Sequence, residues 1–153
     1  MLTKVKTRSG KSTGSTFAIV ASRYNGEYVD AMVHAAKVEL DNAHAKLRIV
    51  RVPGAFEIPA VAARLAASGR YSALICFGVI FQGETSHAEH IGLGVTHALA
   101  QIQVQHKVPV IHAVFVFDKV KPAKVRCLGA KHNRGTEAAH TALEMARVMA
   151  SVR

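Results

Sequence analysis

Residues 78–91, GVIFQGETSHAEHI, pass from an apolar stretch into a glycine, a carboxylate, two hydroxyls and two histidines within a few positions. A helix is expected from about Thr85 to His106. Gly83 then allows close backbone approach, while Glu84, Thr85 and Ser86 fall where the first-turn amides lack intrahelical partners. Such a turn is either an anion site or a helix start capped by its own Thr or Ser, and this loop alone leaves both readings open. Glu84 suits a phosphate only with its side chain turned away. His87 meets the positive end of the helix dipole, which favours a neutral imidazole and so a base; the competing reading is a surface histidine. His90, three residues on, faces a similar direction and is read as structural. The chain has nine histidines, but no third ligand at matching spacing and no HExxH or CxxC, so no metal is expected.

Two further stretches have residues suited to chemistry. In PGAFEIPA, Pro53 and Gly54 make a turn, Phe56 is either core or ligand, and Glu57 either starts a helix or presents a carboxylate. In SRYNG, Tyr24 and Asn25 form a plausible turn pair. Each stretch alone is compatible with an ordinary loop.

The elements that must position these residues follow from apolar spacing. TFAIVAS is a β-rich run, followed by helical spacing from about Glu27 to Asn42. KLRIVRV alternates and stops at Pro53-Gly54, and Ile58–Ala67 is again helical. SALICFGVI is a continuous apolar run of the kind buried on both faces of a parallel sheet. After the helix that ends near His106 come a fourth strand, VPVIHAVFVF, and two helices near 120–128 and 135–151. Strands alternating with helices predict an α/β fold, a three-layer αβα sandwich on a parallel sheet of four strands. Ligands bind such folds outside the carboxyl ends of the strands, so the loops after all four strands are expected to converge on one edge.

Composition bounds the rest. A chain of 153 residues, half of them hydrophobic, suits a single domain over residues 16–153 that buries roughly 70% of its unfolded surface. Residues 1–15 are basic, rich in Ser, Thr and Gly, and are expected to form a flexible arm. No apolar run reaches the ~18 residues of a membrane span. Two cysteines and no recognisable signal peptide lead us to expect a reduced, cytoplasmic setting. Twenty Lys and Arg against ten acids give a net charge of +10. No nucleic-acid motif or interleaved aromatics accompany that charge, so an anionic small molecule is the expected partner rather than nucleic acid.

Taken together, RYN, VPGAFEIP, GVIFQGETSH, VPVIHAVF, VRCLGAKHNRG and EAAHTALEMA stand in an order and spacing that resembles the lumazine synthase family over about residues 16–151. The most specific parts are PGAFEIP, G-x-T-x-H some thirty residues later, and Arg126 followed by Asn133-Arg134-Gly135. The resemblance implies a flavodoxin-like sheet and a transferase that joins 5-amino-6-(D-ribitylamino)uracil to 3,4-dihydroxy-2-butanone 4-phosphate in the penultimate step of riboflavin biosynthesis. No cofactor is implied. It further implies homopentamers, or assemblies of pentamers, with active sites shared between neighbouring subunits, and a functional link to riboflavin synthase.

Site roles follow from the same resemblance. Tyr24, Asn25, Ala55, Phe56 and Glu57 hold the pyrimidine and its ribityl chain, Val79, Ile80 and Phe81 border the ring, and His112 packs against it. Gly83, Glu84, Thr85 and Arg126 lie at the phosphate, and His87 is the proton carrier. Three positions depart from the family pattern: Gln82 and Arg134 replace an arginine and a lysine, and His112 replaces an aromatic. A lumazine or flavin carrier on the same fold and a nucleic-acid-binding assembly protein are the competing readings.

Overall fold

The alternating apolar runs pair as parallel strands. In a computed structural model that describes residues 14–153 together with residues 3, 11 and 12, β1 (Thr16–Ser22) lies between β2 (Lys46–Val52) and β3 (Ala73–Phe81), and β4 (Val110–Phe117) flanks β3. All three pairings are parallel and the order is β2-β1-β3-β4; Ile19, for example, faces Ile49 on one side and Ile75 on the other. The helices are α1 (Gly26–Asn42), α2 (Ile58–Ala67), α3 (His87–His106), α4 (Val120–Ala123) and α5 (Arg134–Ser151). Most of the basic arm expected over residues 1–15 lies outside the described residues.

Side-chain alternation divides the core into two layers. Phe17, Ile19, Ile75 and Phe77 point to one face, where they pack with Val29, Met32 and Leu40 of α1 and Ala139 and Ala142 of α5. Ala18, Val20, Leu74 and Cys76 point to the other, against Ile58 and Ala62 of α2 and Val95 and Leu99 of α3. Helices on both faces of a parallel sheet in this order make the expected three-layer, flavodoxin-like sandwich.

The structure departs from the sequence reading in two places that matter for the site: where α3 begins, and the character, though not the bounds, of the helix expected near 120–128. α3 begins at His87 rather than Thr85, with Thr85 Oγ1 accepting from the His87 amide at 3.4 Å. The helix expected over 120–128 is a single turn, α4, that passes into a π-turn at Lys124–Leu128, with Ala123 and Cys127 buried on the α1 and α5 face. The segment after β4 is thereby carried to the layer opposite α2 and α3.

The Asn133-Arg134-Gly135 motif has a structural explanation. Asn133 caps α5 by accepting from the Gly135 amide at 2.8 Å, and its Nδ2 donates to the Cys127 carbonyl at 2.8 Å. Arg134 pairs with Glu137 one turn on. A Cβ on Gly135 would stand 2.0 Å from the Met32 carbonyl oxygen, so only glycine lets α5 approach α1 this closely. Gly135→Ala is therefore expected to force the two helices apart and destabilise the fold by about 2–3 kcal/mol, read as a lower urea midpoint. An unchanged midpoint would contradict this packing.

Candidate active site

β1 leads into α1 on one face of the sheet, whereas its neighbour β3 leads into α3 on the other. A crevice must therefore open where the two strands end. Loops from three strands line it. The Arg23 amide donates to the carbonyls of Val52 and Pro53 at 2.8 and 3.0 Å, and the Tyr24 amide to Pro53 at 3.1 Å, fastening the β1 loop to the β2 loop. Asn25 adopts the left-handed conformation, φ 56°, which asparagine tolerates better than most residues. Its Nδ2 donates to the Val79 carbonyl at 2.7 Å, beyond Ala21–Phe77, the last paired residues of β1 and β3.

The β2 loop is set by Gly54. Its amide donates to Glu57 Oε2 at 2.9 Å, which fixes the carboxylate across a short 3₁₀ turn, Ala55–Glu57. A side chain on Gly54 would stand 3.0 Å from the Tyr24 ring and 2.8 Å from Glu57 Oε2. Tyr24 and Phe56 are 69% and 65% exposed, an unusual state for two aromatics so close to a core, and one that leaves their rings available to a ligand.

A pocket of about 810 Å³ occupies the crevice. Tyr24, Asn25, Ala55, Phe56 and Glu57 border it from the first two loops, and Val79, Ile80, Phe81 and His87 from the third. Nine of the residues singled out in the sequence thus share one cavity. Gly54, His90 and Ile91 line it too. Sequence reasoning passed over Gly54 as a turn residue and His90 as structural, although the spacing of His87, His90 and Ile91 already puts all three on one helix face.

The other expected residues lie elsewhere in the chain. Gly83, Glu84 and Thr85 form an exposed turn beside the pocket rather than part of its lining, closed by Gln82 Nε2 donating to the Thr85 carbonyl at 3.0 Å. Gln82 thus serves to fasten the loop. Arg126 sits in the π-turn and borders a separate recess with Phe115, Asp118 and Lys119; among the described residues no ion pair involves it. The loop after β4 accordingly does not join the other three, because burial of Ala123 and Cys127 draws it to the opposite layer.

His112 lies across α3 from the pocket. At 100° per residue, positions 87, 90, 91 and 94 of α3 share one side and positions 92 and 96 the other. His112 meets that second side, with Nε2 2.7 Å from Thr96 Oγ1. The Thr96 hydroxyl gives its one proton to the Gly92 carbonyl at 2.8 Å, so Nε2 must be the protonated nitrogen and donate to Thr96. Nδ1 is then free to accept from the Val114 amide at 3.3 Å. A second proton on Nδ1 would face that N–H directly. Burial pushes the His112 value below the ordinary one, partly opposed by a backbone hydrogen bond. Burial pushes the Cys76 thiol up to about 12 and the Cys127 thiol, against the lowering effect of Arg126 and Arg134, up to about 11, which disfavours the nucleophilic thiolate at both. Among the described residues no His, Cys, Asp and Glu cluster could hold a metal ion, and no helix is long and apolar enough to cross a membrane.

The sequence profile of 6,7-dimethyl-8-ribityllumazine synthase matches residues 14–150. A protein of that name from Stenotrophomonas maltophilia is 38% identical over 136 residues, covering 87% of this chain and 88% of its own. One from Xanthomonas euvesicatoria pv. vesicatoria is 37% identical over 142 residues, covering 91% and 92%.

The His112 network predicts a pH effect with a definite sign. A folded value below the unfolded one (~6.5) means that the unfolded state binds the proton more readily, so this share of stability is present above about pH 6.5 and lost as pH falls through the folded value. Urea unfolding at pH 7.5 and 5.5 should show a smaller acid loss for His112→Phe than for the parent protein. Equal losses would remove His112 as the cause.

Proposed function

The chain belongs to the 6,7-dimethyl-8-ribityllumazine synthase family, and from that premise we propose that it is a transferase that condenses 5-amino-6-(D-ribitylamino)uracil with 3,4-dihydroxy-2-butanone 4-phosphate. Phosphate and two waters leave, and the lumazine is the immediate precursor of riboflavin. The observation that carries this reading is the crevice between the ends of β1 and β3, where two exposed aromatics, a fixed carboxylate and the first imidazole of α3 meet.

Each group suits a part of the pyrimidine substrate. Tyr24 and Phe56 offer ring faces for stacking, and Val79, Ile80 and Phe81 form an apolar wall. Ala55 and Asn25 border the heterocycle on the loop side. Glu57 has one oxygen committed to the Gly54 amide, which leaves the other for ribityl hydroxyls. Aligning an amine with a ketone in such a slot lowers the barrier by up to about 7–11 kcal/mol in favourable cases. His87 then moves protons during imine formation and ring closure.

The phosphate requires more than the pocket of one chain holds. Of the side chains lining it, Glu57, His87 and His90 are the ones able to carry charge near neutral pH, and no Lys or Arg is among them. A leaving dianion calls for a guanidinium, whose planar fork matches phosphate oxygens. We therefore assign that role to Arg126 of a neighbouring copy, set beside the Gly83–Thr85 turn, with the neighbour's His112 against the ring. This arrangement calls for a homo-oligomer, and the resemblance to the family supports building it from pentamers.

Supplying both substrates and following lumazine fluorescence tests the activity, and absence of product contradicts the reading. His87→Ala should slow turnover roughly 10–100-fold, because alignment supplies most of the acceleration. Arg126→Ala should weaken binding of the butanone phosphate by about 1.5–3 kcal/mol while leaving the pyrimidine little affected. An equal loss for both substrates would point instead to damaged assembly.

A further inference from the structure

α3 brings two imidazoles to the pocket. His87 and His90 are separated by one helical turn, and both side chains line the cavity together with Ile91. Residues at this spacing hold their Cβ atoms about 5–6 Å apart on one face. A structural histidine is normally buried or bonded. The His90 side chain is exposed instead, and among the described residues its ring has no hydrogen-bond partner.

The reaction proposed above asks for protons at more than one place. It forms two carbon–nitrogen bonds at carbonyl carbons and loses a water at each. Every such loss needs a proton delivered to a departing hydroxyl and another removed from nitrogen. Glu57 is tied to the Gly54 amide and both thiols are buried, which leaves the two imidazoles as the pocket groups suited to proton exchange near neutrality.

On the basis of that functional reading, we propose that His90 is a second proton carrier of the site, working as the counterpart of His87. In the first dehydration the carbon–oxygen bond of the carbinolamine breaks as the carbon–nitrogen double bond forms. The His90 imidazolium protonates the hydroxyl, which leaves as water, and neutral His87 takes the proton from nitrogen. The two rings have then exchanged protonation states. In the elimination that follows, the proton taken from carbon departs on the phosphate, and the enol so formed becomes the second ketone by losing its hydroxyl proton as the terminal carbon gains one, so the pair is left as it was. Ring closure runs the exchange in reverse: His87 gives its proton to the second hydroxyl, which leaves as water, His90 takes one from nitrogen, and both rings return to their starting forms.

The test is steady-state kinetics of His90→Gln and His90→Ala beside the parent protein, across pH and with added imidazole. His90→Gln keeps a polar side chain of similar reach but cannot exchange protons. It should lower kcat roughly 10–100-fold with KM for both substrates little changed, and flatten one limb of the pH–rate profile. Imidazole should restore part of the activity of His90→Ala, and His87→Ala/His90→Gln should be slower than either single variant. If the parent protein turns over while His90→Gln keeps its kcat and pH profile, the second carrier is overturned and the functional reading stands. A loss in His90→Ala that imidazole does not relieve, with a lowered melting temperature, likewise assigns His90 to structure. A parent protein that makes no lumazine overturns both.

Discussion

The site depends on one hydrogen bond, from the Asn25 side chain to the Val79 carbonyl. β1 and β3 are neighbours in the sheet, but their chains leave for opposite layers, so past Ala21 and Phe77 there are no further rungs between them. Asn25 supplies the missing one. Its left-handed backbone turns the chain into α1 while its amide closes the floor of the crevice. With the Arg23 and Tyr24 amides held by Val52 and Pro53, three loops become one rigid frame. The frame explains why residues far apart in the chain, Tyr24, Phe56 and His87, present their side chains to a common cavity.

Much of this was legible in the sequence, and the reasons can be read at particular residues. β1, β2 and α2 have the bounds that apolar runs and turn residues gave them, because Pro53-Gly54 ends β2 and the run TFAIVAS has no competing period. The ordered motifs placed nine residues in one pocket. Where the reading departed, side-chain contacts that apolar spacing does not report were involved. Thr85 and Ser86 look like helix caps, yet the Gln82 side chain holds the Thr85 carbonyl and delays the helix to His87. In the π-turn after α4, Ala123 and Cys127 are both buried in the α1 and α5 layer, and no local pattern signals the π geometry. His90 could have been found from helical spacing alone, since it shares the face of His87.

β4 shows a different constraint. Among the described residues it ends the sheet, so its outward amides need partners that no described strand supplies. Gln103 Oε1 accepts from the Val110 amide at 2.9 Å, and His112 Nδ1 accepts from Val114. This satisfies two groups along the edge and fixes the tautomer of His112. Nearby, Val116 and Val120 remain exposed, and Arg126 opens onto a recess of its own. An apolar, cationic edge on one side of the chain and a cation-poor pocket on the other are complementary. Under the proposed function they meet between neighbouring copies, and the pocket at the end of β1 is completed by the edge of another chain.

Mixed assembly tests that claim most directly. His87→Ala and Arg126→Ala chains are made separately, then dissociated and reassembled together in equal amounts. If each site takes His87 from one chain and Arg126 from its neighbour, about one quarter of the sites in a random mixture regain both residues. Lumazine formation at low butanone phosphate should then rise well above that of either variant alone. Activity no higher than the mean of the two separate variants would show that the sites are not shared, and would contradict the account.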